Sequence, residues 1–261
     1  MKLSCIIEND FKDLEYFKSI GIENFELCTH ENADEFFQNI ASIKQIIKDN
    51  QVNIISLGRW GAKKIIDGQV CNRQLQIDFN HIKIANELGS KLFCTGINYD
   101  DELSVLDNYN ITVNYFQKLI EYGKQYDVEI AVVNCDWNNY ILGSEQWKIL
   151  LGSLPELKIK YDPSHIYYRS VDYLKELEFL GDKVGHVHLK GCVKVDNNRF
   201  DDPPAGLDQI DWNSILTILY ANNYDGYLSI EPHATKINRK ITKKGVEYTY
   251  NYFAGRIMEN D

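Results

Sequence analysis

Eight short apolar or β-branched runs punctuate this 261-residue chain, with longer stretches of helical periodicity between them. The runs fall at 2–7 (KLSCII), 23–28 (ENFELC), 52–57 (VNIISL), 91–96 (KLFCTG), 128–134 (VEIAVVN), 157–162 (LKIKYD), 184–190 (VGHVHLK) and 226–231 (GYLSIE). Segments such as ADEFFQNIASIKQIIKDN, RQLQIDFNHIKIANELG and VNYFQKLIEYGKQYD repeat apolar residues every three or four positions, the period of a helix with one buried face. Gly21, Gly89, Gly123 and Gly181 follow helical runs, where a left-handed residue closes the helix.

Eight strand–helix pairs without a Pro- or Gly-rich linker predict an α/β fold, a single (β/α)8 barrel of the TIM type over residues 1–261. A doubly wound open sheet is the competing arrangement, but no G-x-G-x-x-G follows the first strand. In such a barrel the chemistry sits where strand C-termini meet the following loops. The residues at those ends therefore carry the functional reading.

Charge narrows the partners. Lysine and arginine number 28 against 38 aspartates and glutamates, a net charge of -10. Nucleic acid is bound by basic surface and counterion release, so this balance opposes it as a partner. The opening MKLSCIIENDFKD has an apolar run too short for a signal peptide or membrane span, so a cytoplasmic protein without membrane association is expected. Self-association into a homo-oligomer is left open. No C-x-x-C occurs among the six cysteines, and Cys5, Cys28, Cys94 and Cys135 sit in or at the end of strands in apolar company. Reduced, buried thiols acting as small hydrophobes are expected.

The sixth run stops being apolar at Asp162, with His165 three residues on, in YDPSH. Asp-Pro-Ser is good turn chemistry by itself, and the pair can equally face a site. In GHVHLKG, strand alternation sets His186, His188 and Lys190 on one face, with Val187 and Leu189 on the other. Helices cover the outside of a barrel, so the polar face points inward. The same rule sends Ser229 and Glu231 of YLSIEPH inward, with His233 just beyond. An Asp, a His and a Glu thus meet at the top of strands six, seven and eight. That set suits a divalent ion such as Mn²⁺, Mg²⁺ or Zn²⁺. A lone histidine there is more often structural, but four of the six (His165, His186, His188, His233) fall at these ends.

At YDPSH (161–165), HVHLK (186–190), PAGLDQIDW (204–212) and SIEPH (229–233) the chain resembles the xylose isomerase-like barrels, the sugar phosphate isomerase/epimerase superfamily. The resemblance runs through the whole element order, with its specific motifs between residues 128 and 233. It implies that Asp162, His188 and Glu231 bind one metal and that His165 meets the substrate. One departure stands out. The family's fifth strand typically reads A-L-E-N-H, its Glu serving as fourth ligand and as one of two acid/base groups. Here Ala131-Val132-Val133-Asn134-Cys135 puts Val133 in that place.

Lys160, two residues before Asp162, should also point inward, where it could replace a metal's charge or pair with Glu26 lower in the barrel. A strand phase off by one residue would turn it outward instead. From NCDWNN, Asn134, Asp136 and Trp137 offer polar and aromatic contacts at the rim. Trp60 or Trp137 against a sugar face, with Lys190 as a further contact, completes the expected substrate set.

The resemblance implies an enzyme acting next to a carbonyl of a sugar or sugar derivative. A metal or Lys160 would polarise the carbonyl oxygen, and Glu231 or His165 would move the proton. With one carboxylate missing, isomerisation by a single shuttling base fits better than two-base epimerisation. β-Elimination on a keto-sugar fits as well, and a degenerate, non-catalytic sugar-binding barrel is the third reading. Apurinic endonucleases of the same superfamily share the pattern at Asp162, His165, His188 and Glu231. They need further histidines on strands two to four, where only His30 is found. No Gly-rich loop follows strands seven or eight, which favours a substrate without phosphate.

Overall fold

The protein is described here by a computed structural model covering residues 1–232 and 242–258; His233 lies outside the described residues. The chain begins β1 (Lys2–Ile7), α1 (Leu14–Ser19), β2 (Asn24–Thr29), α2 (Asp34–Asn50), β3 (Asn53–Arg59). A small hairpin, β4 (Ile65–Ile66) and β5 (Gln69–Val70), precedes α3 (Asn72–Glu87), β6 (Leu92–Thr95), α4 (Val105–Tyr126), β7 (Glu129–Val133) and α5 (Ser144–Ser153). Then come β8 (Lys158–Tyr161), α6 (Pro163–Tyr168), α7 (Tyr173–Leu180) and β9 (Val184–Leu189). A second hairpin, β10 (Val193–Val195) and β11 (Asn198–Asp201), leads to α8 (Trp212–Ala221), β12 (Tyr227–Ile230) and α9 (Thr242–Ala254).

Eight strands close in the order β1-β12-β9-β8-β7-β6-β3-β2, which is the expected (β/α)8 barrel. Each of the eight expected strands is present within two residues of its expected bounds. The two hairpins were not expected. Their strands of two to four residues are too short for a period-2 pattern, although Asp67-Gly68 and Asp196-Asn197 hold the paired positive φ angles of a tight hairpin turn. α4 begins eight residues before the expected run, where Ser104 caps it by accepting from Asp107 N.

Gly21, Gly89 and Gly181 take positive φ as expected. Gly123 does not end its helix. It lies inside α4, which runs on to a left-handed Asp127, and a Cβ there would sit 2.3 Å from Val128 O. Glycine is used at this point for close backbone approach. All six cysteines are unbridged thiols.

Contacts gather the chain into two compact units, residues 1–26 with 160–261 and residues 27–159. In the first unit, register pairs Ser4 with Ser229 and Ser229 with His188, so these three share one face of the sheet. Ser4, Glu26, Lys160, His186, His188 and Ser229 are all buried, and so are Val187, Leu189, Leu228 and Ile230. The inward face of these strands is polar, and the apolar residues alternate with it. That division follows from the HVHLK and YLSIE patterns.

The second unit holds a different buried polar group. His81, on α3, is fully buried between the rings of Phe36 and Phe93, with centroids 5.6 and 5.5 Å away. Its Nδ1 lies 2.8 Å from Ile77 O and its Nε2 2.8 Å from Thr29 Oγ1, so the neutral ring donates to the carbonyl and accepts from the hydroxyl. Burial pushes this imidazole down to about 4, against the pull of the Ile77 carbonyl. The unfolded chain then binds a proton at His81 near pH 6.5, and the folded chain only near 4. Stability should fall as pH drops through this window, by roughly 3 kcal/mol from this one group. Urea unfolding at pH 7 and 4.5 should show that slope, and His81→Gln should flatten it.

Candidate active site

The site grows from three consecutive strand ends of the first unit. Asp162 follows β8 with extended backbone and caps α6, with Pro163 in the first helical turn. Its Oδ1 accepts from Ser164 N at 2.9 Å and from Ser164 Oγ at 2.7 Å. Its Oδ2 faces His165, whose Nε2 is 3.4 Å away. One carboxylate oxygen of Asp162 thus does the turn chemistry of Asp-Pro-Ser, and the other faces His165. His165 stands on α6 and not in a loop.

From β9, His188 extends Nδ1 to Glu231 Oε2 at 2.7 Å and Nε2 to Glu26 at 3.0 and 3.2 Å. Glu231 comes directly after β12, its backbone N–H donating to Leu189 O and its side chain 23% exposed. Lys190, just past β9, brings Nζ within 3.3 Å of Glu231 Oε1. Glu26, for which the sequence offers Lys160 as a partner, is met by His186 Nε2 at 2.8 Å and by His188. Lys160 is buried, and its charge acts on Asp162, His165, His186, His188 and Glu231.

These charges set one another's protonation. Burial and Lys160 press His188 down, but Glu26 and Glu231 outweigh them and raise it above the ordinary histidine value. Burial would raise Glu231, yet Lys190 and His188 hold it well below the usual carboxylate range. Glu26 is likewise held well below, burial being outweighed by His188 and His186. Burial raises Asp162 too, and His165 and Lys190 turn the balance downward. His165 itself is pushed down to about 4 by burial, against the pull of Asp162. At neutral pH the three carboxylates are thus ionised, beside a neutral His165.

Asp162, His188 and Glu231 each present a ligand atom within 4.8 Å of the others. Two carboxylates and one imidazole, whose second nitrogen is bonded to a buried carboxylate, form the donor set and outer support that a divalent ion takes. The residues fit the metal that the sequence leads one to expect.

The other expected contacts belong to the second unit. Val133, at the end of β7, is buried with Leu92, Cys94 and Ala131, with Trp60 and Cys135 packed against them. The side chain at the position of the family's carboxylate packs in an apolar cluster. Asn134 is fully buried, and Asp136 is exposed. Trp137 is 51% exposed, its ring 5.2 Å from that of His30 and lying over Gly61, where a Cβ would approach within 2.4 Å. Trp60 lies over Gly58 in the same way. The pairing of Glu26 with His186 was not expected, because 160 residues separate them and no spacing links them. In PAGLDQIDW the organising residue is Asp208, which accepts from Gly206 N, Cys192 N, Ile210 N and Trp212 Nε1.

No curated protein sequence matches the chain significantly. Among solved structures, D-psicose 3-epimerase from Clostridium cellulolyticum H10 superposes with a TM-score of 0.77 at 14% identity, over 98% of this chain and 99% of its own. The 3-keto-D-glucoside 4-epimerase from E. coli gives 0.75 at 16%, over 96% and 99%. Mannonate dehydratase from Streptococcus suis serotype2 gives 0.77 at 13%, over 100% and 97%. These likenesses are of fold. The family model for xylose isomerase-like TIM barrels matches residues 14–252. With that match over nearly the whole chain, and the closed eight-stranded barrel beneath it, the protein belongs to the xylose isomerase-like TIM barrel family.

Proposed function

We propose that the protein is a sugar-modifying enzyme, acting as one domain, that moves a proton at a carbon next to a carbonyl. The observation that carries this reading is the meeting of Asp162, His188 and Glu231, with His165 against the first and Lys190 against the last. Asp162, His188 and Glu231 would hold a divalent ion such as Mn²⁺, Mg²⁺ or Zn²⁺, which would supply Lewis-acid polarisation of the substrate's carbonyl oxygen. Lys160 and Lys190 add positive charge where an enediolate oxygen develops, an electrostatic task that a buried ammonium performs well. His165, neutral at physiological pH, can accept the proton, and Glu231 is the second candidate for that role. Asn134, Trp60 and Trp137 are the remaining candidates for contact with a carbohydrate.

Val133 shapes the choice of reaction. Two-base epimerisation needs a carboxylate on each face of the substrate, and position 133 supplies an apolar side chain in an apolar cluster. A single base shuttling one proton between adjacent carbons, an aldose–ketose isomerisation, is therefore the leading reaction. Elimination of a β-substituent is the second reading. It also needs one base, and the structural neighbours include a mannonate dehydratase beside the epimerases. A panel of unphosphorylated aldoses, ketoses and keto-sugars, incubated with manganese-loaded protein, tests the proposal. Isomerised sugar supports the first reading. An unsaturated keto product would favour the lyase, and sugars that bind unchanged would leave a binding barrel.

A further inference from the structure

The inner face of the strands carries a second convergence of metal-ligating atoms, beside the trio at the mouth. His186 Nε2 lies 2.8 Å from Glu26 Oε2, and His188 Nε2 lies 3.0 Å from the same oxygen. The two rings stand at 76° with centroids 5.4 Å apart, so they share the carboxylate without stacking. All three side chains are 0–1% exposed, and one ligand atom from each lies within 4.8 Å of the others.

An independent observation points to a ligand here. Ser229 is in register with His188, and Ser4 with Ser229, which puts both hydroxyls on the histidines' face of the sheet. Both serines are fully buried, and neither Oγ has a hydrogen-bond partner among the described residues. Buried hydroxyls are ordinarily satisfied. Two that are not, on the same face as a buried Glu and two histidines, suit a place shaped for an ion and the rest of its coordination sphere.

We propose that Glu26, His186 and His188 form an inner site for a first-row transition ion of the zinc class, separate from the trio at the mouth. Two histidines and a glutamate are an established protein zinc set. Bonds of about 2.1 Å place tetrahedral donors about 3.4 Å apart, so the two contacts to Glu26 Oε2 need to open by about 0.4 to 0.6 Å. Ligand type separates the two places. Two imidazoles to one carboxylate favour Zn²⁺ or Co²⁺, whereas two carboxylates to one imidazole favour Mn²⁺ or Mg²⁺. His188 reaches them through different nitrogens, Nε2 inward and Nδ1 toward Glu231. An inner ion leaves Nδ1 bonded to Glu231 and withdraws His188 from the mouth. Zinc should therefore weaken manganese binding without taking its position, whatever reaction the mouth performs.

Zinc titrated into metal-free, full-length protein tests this. X-ray absorption of the one-equivalent zinc protein should count two imidazole ligands, a readout that requires no variant. Glu26→Gln and His186→Gln should each lower zinc affinity by about 100-fold or more, while Asp162→Asn changes it only a few-fold. Circular dichroism and melting of each variant separate lost affinity from lost fold. A single imidazole in the absorption spectrum would place zinc at the mouth and overturn the proposal. So would zinc binding that is lost in Asp162→Asn and unaffected in His186→Gln, or wild-type protein that takes up no stoichiometric zinc.

Discussion

Asp78→Ala is expected to remove roughly 3–5 kcal/mol of stability, the loss typical of a buried ion pair deprived of one partner. Asp78, on α3, is fully buried and accepts from Arg59 Nη1 at 2.9 Å, Lys64 Nζ at 2.6 and 2.8 Å and Tyr115 Oη at 2.5 Å. Two cations share this one carboxylate. Arg59 has further acceptors in Glu31 O, Gln74 O and the Gln74 side chain. Lys64 leans on Asp78 through both oxygens. Burial already pulls that lysine down to about 8 against the pull of Asp78. Without the carboxylate, Lys64 loses its proton at lower pH still, because an unpaired buried ammonium is costly. The deficit relative to wild type should therefore be greatest below neutrality, shrink as pH rises to about 8 and stay level above it. Urea unfolding across pH measures it, and a loss under 1 kcal/mol at neutral pH would show that the network does not hold this unit together.

His165→Gln should lower turnover by a factor of about 10²–10⁴, the contribution of a positioned general acid or base. Metal stoichiometry should be unchanged, since Asp162, His188 and Glu231 are untouched. Glutamine retains polar reach toward Asp162 but cannot take up a proton. Steady-state kinetics beside metal analysis of the purified variant decides the matter. Loss of the ion would make His165 a fourth ligand, standing in for the carboxylate absent at position 133.

Much of this was legible in the sequence because it is governed by local periodicity. Alternation in HVHLK and YLSIE fixes which side chains face inward, and that rule needs no partner strand. Register pairs Ser229 with His188, and both histidines meet Glu26, as that alternation requires. What escaped depends on long-range packing or on very short elements. The Glu26–His186 bond joins residues 160 apart, and the Asp78 network draws on β3, α3, α4 and the segment between them. Gly123 read as a helix terminator because composition alone cannot tell a left-handed residue from one that only needs to be small. His165 was expected beyond a strand end in a loop. Pro163 in fact starts a six-residue helix there, and its N-cap is the same Asp162 that faces the site.

The central claim is that a proton moves at a carbon next to a carbonyl, and isotopic labelling tests it most directly. An aldose that the protein turns over, deuterated at C2 beside its carbonyl, should lose its label to water or pass it to the neighbouring carbon. Wild-type protein should do this, and both His165→Gln and Glu231→Gln should slow it by about 10²–10⁴. Product that keeps its deuterium on the original carbon would contradict the account.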